Sequence, residues 1–245
     1  MRYRFSLLFW LLITSPWLQA ETLVFAALQS SSEDRHMNQP ISDIIEYLFR
    51  GSRFELQRLE VPRGARLMAE TRKHNIDIFI GSYSPKILQE MSFGLVEVHP
   101  LPIMSAKRGF YALRSSNFSA KTLEQLHHHH LGIVKIPANL RALLLGRKTA
   151  KVTGFRSNDS AAKGLITGRI DIMVGLNWAT PYTFERIGEA KQVIKIGEGL
   201  AVQSHVYIRT SLPADTKTMI RRLLDQRIPQ LRESGALELI LTQYR

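Results

Sequence analysis

The chain contains no cysteine. That excludes a disulfide framework, a cysteine-ligated metal centre, a cysteine nucleophile and a lipid anchor on a cysteine after the leader. Stability must come from packing alone. Long apolar runs are confined to the first twenty residues, and no later segment approaches a membrane span. Low-complexity linkers are missing, as are a Gly-x-Ser-x-Gly elbow, a His-Glu-x-x-His pair and a Gly-rich phosphate loop, the usual marks of hydrolases, zinc proteases and nucleotide enzymes. Acidic residues are also short: 21 Asp and Glu face 33 Lys and Arg, a formal charge of +12. A basic surface attracts nucleic acid, anionic lipid or an anionic solute. The basic residues are scattered, and pairs such as Arg147-Lys148 and Arg221-Arg222 read as solvated faces, so nucleic acid is not an expected partner.

What is present begins with MRYRFSLLFWLLITSPWLQA, two arginines before an apolar run, a helix-breaking Pro16 and a Leu18-Gln19-Ala20 ending. This reads as a cleavable signal peptide over residues 1–20, with an uncleaved N-terminal anchor as the alternative. Export without cysteine suits the bacterial periplasm. The remaining chain, about 225 residues, is long enough for two lobes of about a hundred residues each.

Past the leader, β-branched runs alternate with amphipathic ones, the rhythm of an α/β protein with largely parallel sheets. TLVFAAL, FELQRLEV and IDIFIG read as strands, with helices in ISDIIEYLF and RGARLMAETRKHN between them. LGIVKI, KVTGF and IDIMVG continue as strands, with helices in NLRALLLGR and NDSAAKGLITGR, the latter capped by Asn158 or Asp159. A repeat runs through this rhythm: Asn75-Ile-Asp-Ile-Phe-Ile-Gly is echoed by Arg169-Ile-Asp-Ile-Met-Val-Gly. A second pair, Tyr111-Ala-Leu-Arg-Ser-Ser116 and Val206-Tyr-Ile-Arg-Thr-Ser211, reads as two strands running side by side where the chain passes between lobes and returns. Two lobes of one design are expected: residues 21–108 with 206–245, and residues 109–205. Ligands in such sheets bind beyond the carboxyl ends of the strands. The expected cleft residues there are Gln29, Ser30, Ser82, Tyr83, Ser84, Lys135, Asn139, Asn177 and Trp178.

Four stretches, Gly168-Arg-Ile-Asp171, Ser84-Pro-Lys-Ile-Leu-Gln-Glu-Met-Ser-Phe93, Leu131-Gly-Ile-Val134 and Ser234-Gly-Ala-Leu-Glu-Leu-Ile-Leu-Thr-Gln-Tyr244, occur in the order and spacing of a known family. The chain resembles the type II periplasmic solute-binding proteins, family 3, which includes polar amino-acid receptors of ABC importers. The resemblance covers the whole mature chain. It implies a two-lobed α/β fold, two mixed and mainly parallel sheets joined by two hinge strands. It also implies a non-enzymatic protein, expected as a monomer, that closes on a small solute and presents it to an ABC permease or a sensor kinase.

The amino-acid clamp does not carry over. The place of the family's carboxylate-binding arginine holds Ile87, its Gly-Thr is replaced by Pro137-Ala138, and its ammonium-binding acid falls on Leu176. Substitute cations are Arg63, Arg66, Lys86, Lys135 and Arg141, and Tyr83, Tyr111 and Trp178 offer rings for stacking. As a set they point to an anionic or aromatic solute. The alternatives are an envelope or signalling adaptor that kept the fold and lost the pocket, and a dehydratase-like enzyme, since a few family relatives act on cyclic acids. No cofactor is expected. The run Leu-His-His-His-His-Leu-Gly (126–132) lacks the i, i+4 spacing of helical metal ligands and precedes the strand LGIVKI. It reads as a solvated turn at the amino end of that strand, away from the cleft, and not as a metal site.

Overall fold

The computed structural model describes residues 20–28, 35–61, 65–82, 94–118, 126, 128–134 and 151–243. Nine strands form one sheet, eight of them in the order β2-β1-β3-β9-β5-β8-β6-β7 and the ninth, β4 (Val96–Val98), beside β9. In the first half, β1 (Glu21–Leu28) runs parallel to β2 (Phe54–Val61) in continuous register from Glu21↔Phe54 to Leu28↔Val61. On its other side β1 lies parallel to β3 (Ile78–Gly81), which pairs antiparallel with the end of β9 (Val193–Arg209). The second half repeats this: β6 (Leu131–Val134) is parallel to β7 (Val152–Phe155) and to β8 (Ile172–Leu176), and β8 is antiparallel to β5 (Met104–Leu113).

The two halves are joined by β5 and β9, which pair with each other from Met104↔Ser204 to Leu113↔Val193. The two similar hexapeptides therefore belong to two strands that do run side by side. They are not opposite each other, however: Tyr111 pairs with Lys195, whereas Val206, Tyr207 and Ile208 pair with β3. Antiparallel pairing puts the end of one strand against the start of the other, so the equivalent segments fall at opposite ends of the ribbon, one in each half.

Helices cover the sheets because their apolar residues recur at helical spacing. In α1 (Arg35–Phe49), Ile44, Ile45 and Leu48 pack on Leu23, Phe25, Ile78 and Ile80. The helix begins six residues before the expected start and carries Pro40 inside it. A further helix, α2 (Ala65–Arg72), puts Leu67 and Met68 against the opposite face, with Ile76, Phe79 and Tyr207. The second half is covered by α3 (Asn158–Ile166) and α4 (Thr180–Arg186), whose Ala161, Ala162, Leu165 and Phe184 meet Phe155, Ile170 and Met173. The N-cap of α3 is Ser157, one place before the expected Asn158 or Asp159. Ser157 accepts a hydrogen bond from Ser160 N–H while the Ser160 hydroxyl accepts from Ser157 N–H, a reciprocal pairing neither side chain at 158 or 159 can make from inside the first turn. The chain closes with α5 (Ala214–Glu233) and α6 (Ala236–Thr242). Ile220, Leu224, Ile228 and Leu231 of α5 complete the first-half core, and Gly235 at φ 74° turns the chain between the two helices.

The repeated Ile-Asp-Ile performs one job twice. Asp77 accepts a hydrogen bond from Val24 N–H at 2.7 Å and its own N–H donates to the Val24 carbonyl at 2.8 Å. Asp171 does the same with His130, at 2.7 and 2.8 Å. Each Asp thereby pins the start of a central parallel strand to its neighbour. The histidine run sits at this amino end of β6, with His130 Nε2 2.7 Å from the Thr153 hydroxyl and the His129 ring 4.4 Å from that of Phe118.

Candidate functional site

The register brings two strand ends to one stretch of the ribbon. Gly81, the last residue of β3, pairs with His205 of β9, and Leu176, the last residue of β8, pairs with Arg108 of β5. Lys107, next to Arg108, pairs with Ala201. The carboxyl ends of β3 and β8 thus approach the same middle stretch of the ribbon from opposite halves. Between Ala201 and His205 lie four residue steps, about 13 Å of strand at about 3.3 Å per residue.

Ser82 follows β3 here, and its hydroxyl lies 2.6 Å from that of Ser204, a buried ribbon residue. Asn177 follows β8, and its N–H donates to the Lys107 carbonyl at 2.9 Å, folding the loop back onto β5 beside Arg108. Trp178 comes next, half-buried, its indole N–H buried without a partner. Ser82 and Asn177 are thus brought to the ribbon, and Trp178 follows Asn177 in the same loop. Two others are placed elsewhere. Arg66 is exposed on α2 and pairs with Glu70 at 2.9 Å, bordering an open hollow at the end of β2 with Leu59, Glu60 and Val61. Tyr111 is buried with Phe184 in the second-half core, 5.8 Å between ring centroids. Its ring lies over Gly109, where any Cβ would come within 2.7 Å of it. Burial, with the Glu198 charge adding to it, pushes its phenol up to about 12. Gln29, Ser30, Arg63, Tyr83, Ser84, Lys86, Lys135, Asn139 and Arg141 lie outside the described residues.

The ribbon supplies residues that were not expected. Glu198 is held by Lys195 and by Lys107, the latter at 3.0 Å, and these contacts keep its carboxyl below the ordinary carboxylate range. Arg108 lies beside them with its Nε buried and without a hydrogen-bond partner. Burial pushes its guanidinium below the ordinary arginine value. Among the described residues no carboxylate pairs with it, and no group of three or more His, Asp or Glu residues is arranged to hold a metal ion. The one signal in the sequence was a Lys-Arg pair opening the otherwise apolar strand Gly109-Phe-Tyr-Ala-Leu113.

No protein-family model matches the chain, and no curated protein matches it in sequence. Solved structures do match its fold. The GluR0 ligand-binding core in complex with L-glutamate aligns with a TM-score of 0.72 at 10% identity, covering 92% of this chain and 98% of that one. A histidine kinase sensor domain with similarity to periplasmic binding proteins aligns at 0.69 and 14% identity, covering 92% and 96%. The ancestral amino acid-binding protein AncCDT-1, a precursor of cyclohexadienyl dehydratase, aligns at 0.66 and 16% identity, covering 91% and 96%. With two repeated sheets, two connecting strands and these matches over nearly its whole length, the chain has the two-lobed fold of the type II periplasmic binding proteins.

Proposed function

We propose that this chain is an exported solute-binding protein of the family 3 kind, whose lobes close on a small solute, anionic or aromatic, in the cleft beside the β5–β9 ribbon. The observation that carries the proposal is the register of that ribbon. Two halves of one design hang from a single antiparallel pair, and the carboxyl ends of β3 and β8 both meet its middle. A two-stranded connection bends more readily than a packed core, so binding in the cleft would shift a population of open and closed forms. The lobes are taken as residues 21–108 with 206–245, and 109–205, after removal of a leader over 1–20 in the periplasm. A closed form of such a protein offers a membrane partner, an ABC permease or a sensor kinase, a surface that the open form lacks.

The non-enzymatic reading is supported by the acids present. Glu198, the described carboxylate at the ribbon's middle, is tied to two lysines, and Asp77 and Asp171 work at the opposite ends of their strands. An adaptor that no longer binds solute is favoured by a separate observation: Ser82 is satisfied by Ser204 and Arg66 by Glu70, so two expected ligand groups are already engaged. Native mass spectrometry of the protein purified from its own periplasm, paired with thermal-shift screening, separates these readings. A retained small molecule whose addition at 100 times its Kd stabilises the fold by about 2.7 kcal/mol supports a receptor. An empty protein that no anionic or aromatic compound stabilises supports the adaptor. Turnover of a cyclic acid would support the enzyme.

A further inference from the structure

We infer that Arg108 is the anion-binding group of the cleft, and that it takes a carboxylate of a solute carrying no ammonium group. The inference rests on the solute-binding reading above and deepens it.

Side chains alternate along a strand, so the registers assign each residue a face. Arg108, Phe110 and Ala112 of β5 stand opposite Leu176, Val174 and Ile172 of β8, and Val174 and Ile172 stand opposite Ile133 and Leu131 of β6. Phe110, Ala112, Leu131, Ile133, Ile172 and Val174 form one buried apolar layer. The next rung toward the carboxyl ends of β6 and β8 is Arg108 with Leu176. The apolar layer therefore ends, on its cleft side, in a guanidinium.

That guanidinium has no counter-ion in reach among the described residues. Its neighbour Lys107 is engaged with Glu198 at 3.0 Å, and Glu198 is shared with Lys195. The segment 135–150, which follows β6 in the sequence, contains four basic residues and no Asp or Glu. A buried cation without an anion is costly, and the cost is recovered when a ligand supplies the anion. Of the three basic side chains at this point of the ribbon, two, Lys107 and Lys195, are engaged with Glu198. The remaining single guanidinium matches one carboxylate, through a charge-assisted hydrogen bond, better than it matches a phosphate dianion. The same inventory disfavours a zwitterion. Glu198 is neutralised by its lysines, and Leu176, directly across from Arg108, is apolar, so no described acid is left to receive an ammonium. Trp178, two residues past Leu176, places an indole edge with an unpartnered N–H in the same loop.

The test uses the mature chain with benzoate, succinate, L-glutamate, L-arginine and inorganic phosphate, by calorimetry and thermal shift, against Arg108→Gln and Arg108→Lys. Benzoate or succinate should bind the unmodified protein, Arg108→Gln should weaken that binding ten- to hundredfold, and Arg108→Lys should keep part of it. The empty Arg108→Gln protein should melt about 2–4 °C higher than the unmodified one, because it no longer buries an unpaired charge. A lower melting temperature for both empty variants would mean that Arg108 is a packing residue and would overturn the inference. So would undiminished carboxylate binding by Arg108→Gln, or a preference for L-glutamate, L-arginine or phosphate; each leaves the protein a solute receptor. If none of the five probes binds, the inference fails, and the retained-ligand measurement decides separately whether the receptor reading fails with it.

Discussion

The two halves of the molecule solve one problem with the same residues and differ in how firmly they fix the answer. Asp77 and Asp171 hold the starts of β3 and β8 to Val24 and His130 with matching pairs of hydrogen bonds. In the first half Arg209 adds two more, from Nε at 3.0 Å and Nη2 at 2.6 Å to one Asp77 oxygen. Asp171 has no such pair among the described residues, and its strand partner is a histidine where the first half has valine. The equivalence extends outward from the two aspartates. Ala26 of β1 corresponds to Gly132 of β6, and His74 corresponds to Gly168, both in left-handed backbone at φ 61° and 70°. A duplicated design thus tolerates different side chains wherever the backbone job is kept.

The largest effect that would break this equivalence is Asp77→Asn. It strips a mostly buried arginine of its anion and should cost about 3–5 kcal/mol in urea unfolding. An Arg209→Met, Asp77→Asn double variant losing less than the single would identify the stranded charge as the cause. Next is Gly132→Ala. A Cβ there would stand 2.1 Å from Ile170 Cδ1 and 3.0 Å from the Phe155 ring, so overpacking should cost about 1–3 kcal/mol. Shortening Ile170 to Val in the same chain should restore part of the loss, whereas Ala26→Gly in the first half has no neighbour to relieve. Asp171→Asn should cost only about 1 kcal/mol, because the amide oxygen still accepts from His130 N–H and no ion pair is lost. A loss as large as that of Asp77→Asn would show that the second half hides an equivalent lock.

His74→Gly should stabilise the protein by about 0.5–1 kcal/mol, since glycine reaches positive φ without the Cβ clash. The 3.2 Å contact between His74 Nδ1 and the Ser211 hydroxyl is the only described interaction given up. The smallest effect concerns pH. Burial first, then the nearby Lys151, pushes the His130 pKa below its ordinary 6.5, and the neighbouring Asp171 only partly offsets them. The unfolded chain then binds the proton more readily, so the stability present above the ordinary histidine range is lost as pH falls through it toward the lower folded value. His130→Gln should flatten the stability profile across that window in the second half alone.

Much of this was legible in the sequence. Ile-Asp-Ile followed by apolar residues and Gly marked two central strands because the alternation of a strand and the end of a helix leave local traces. The pairing partners were not legible. Nothing within Tyr111–Ser116 or Val206–Ser211 records that antiparallel geometry sends them to opposite ends of a ribbon. Arg108 escaped for a related reason. Ligand residues are expected after the carboxyl ends of strands, but β5 runs antiparallel to β8, so the residue it sets opposite the end of β8 is in the middle of a strand. The cap of α3 lies one residue before the expected place because Ser157, Asn158 and Asp159 are all good caps by type, and only the reciprocal bond with Ser160 distinguishes them.

The ribbon also sets an order of assembly. The second half is built from one uninterrupted stretch of chain, β5 through most of β9, and has all its strands once residue 204 has emerged. The first half has its helix α1 and strands β1 to β3 early, but Ile44, Ile45 and Leu48 wait for Ile220, Leu224 and Ile228, which come some 170 residues later. An early-made sheet is left with an open apolar face until the last helices arrive. The part synthesised first is therefore the part least able to fold on its own.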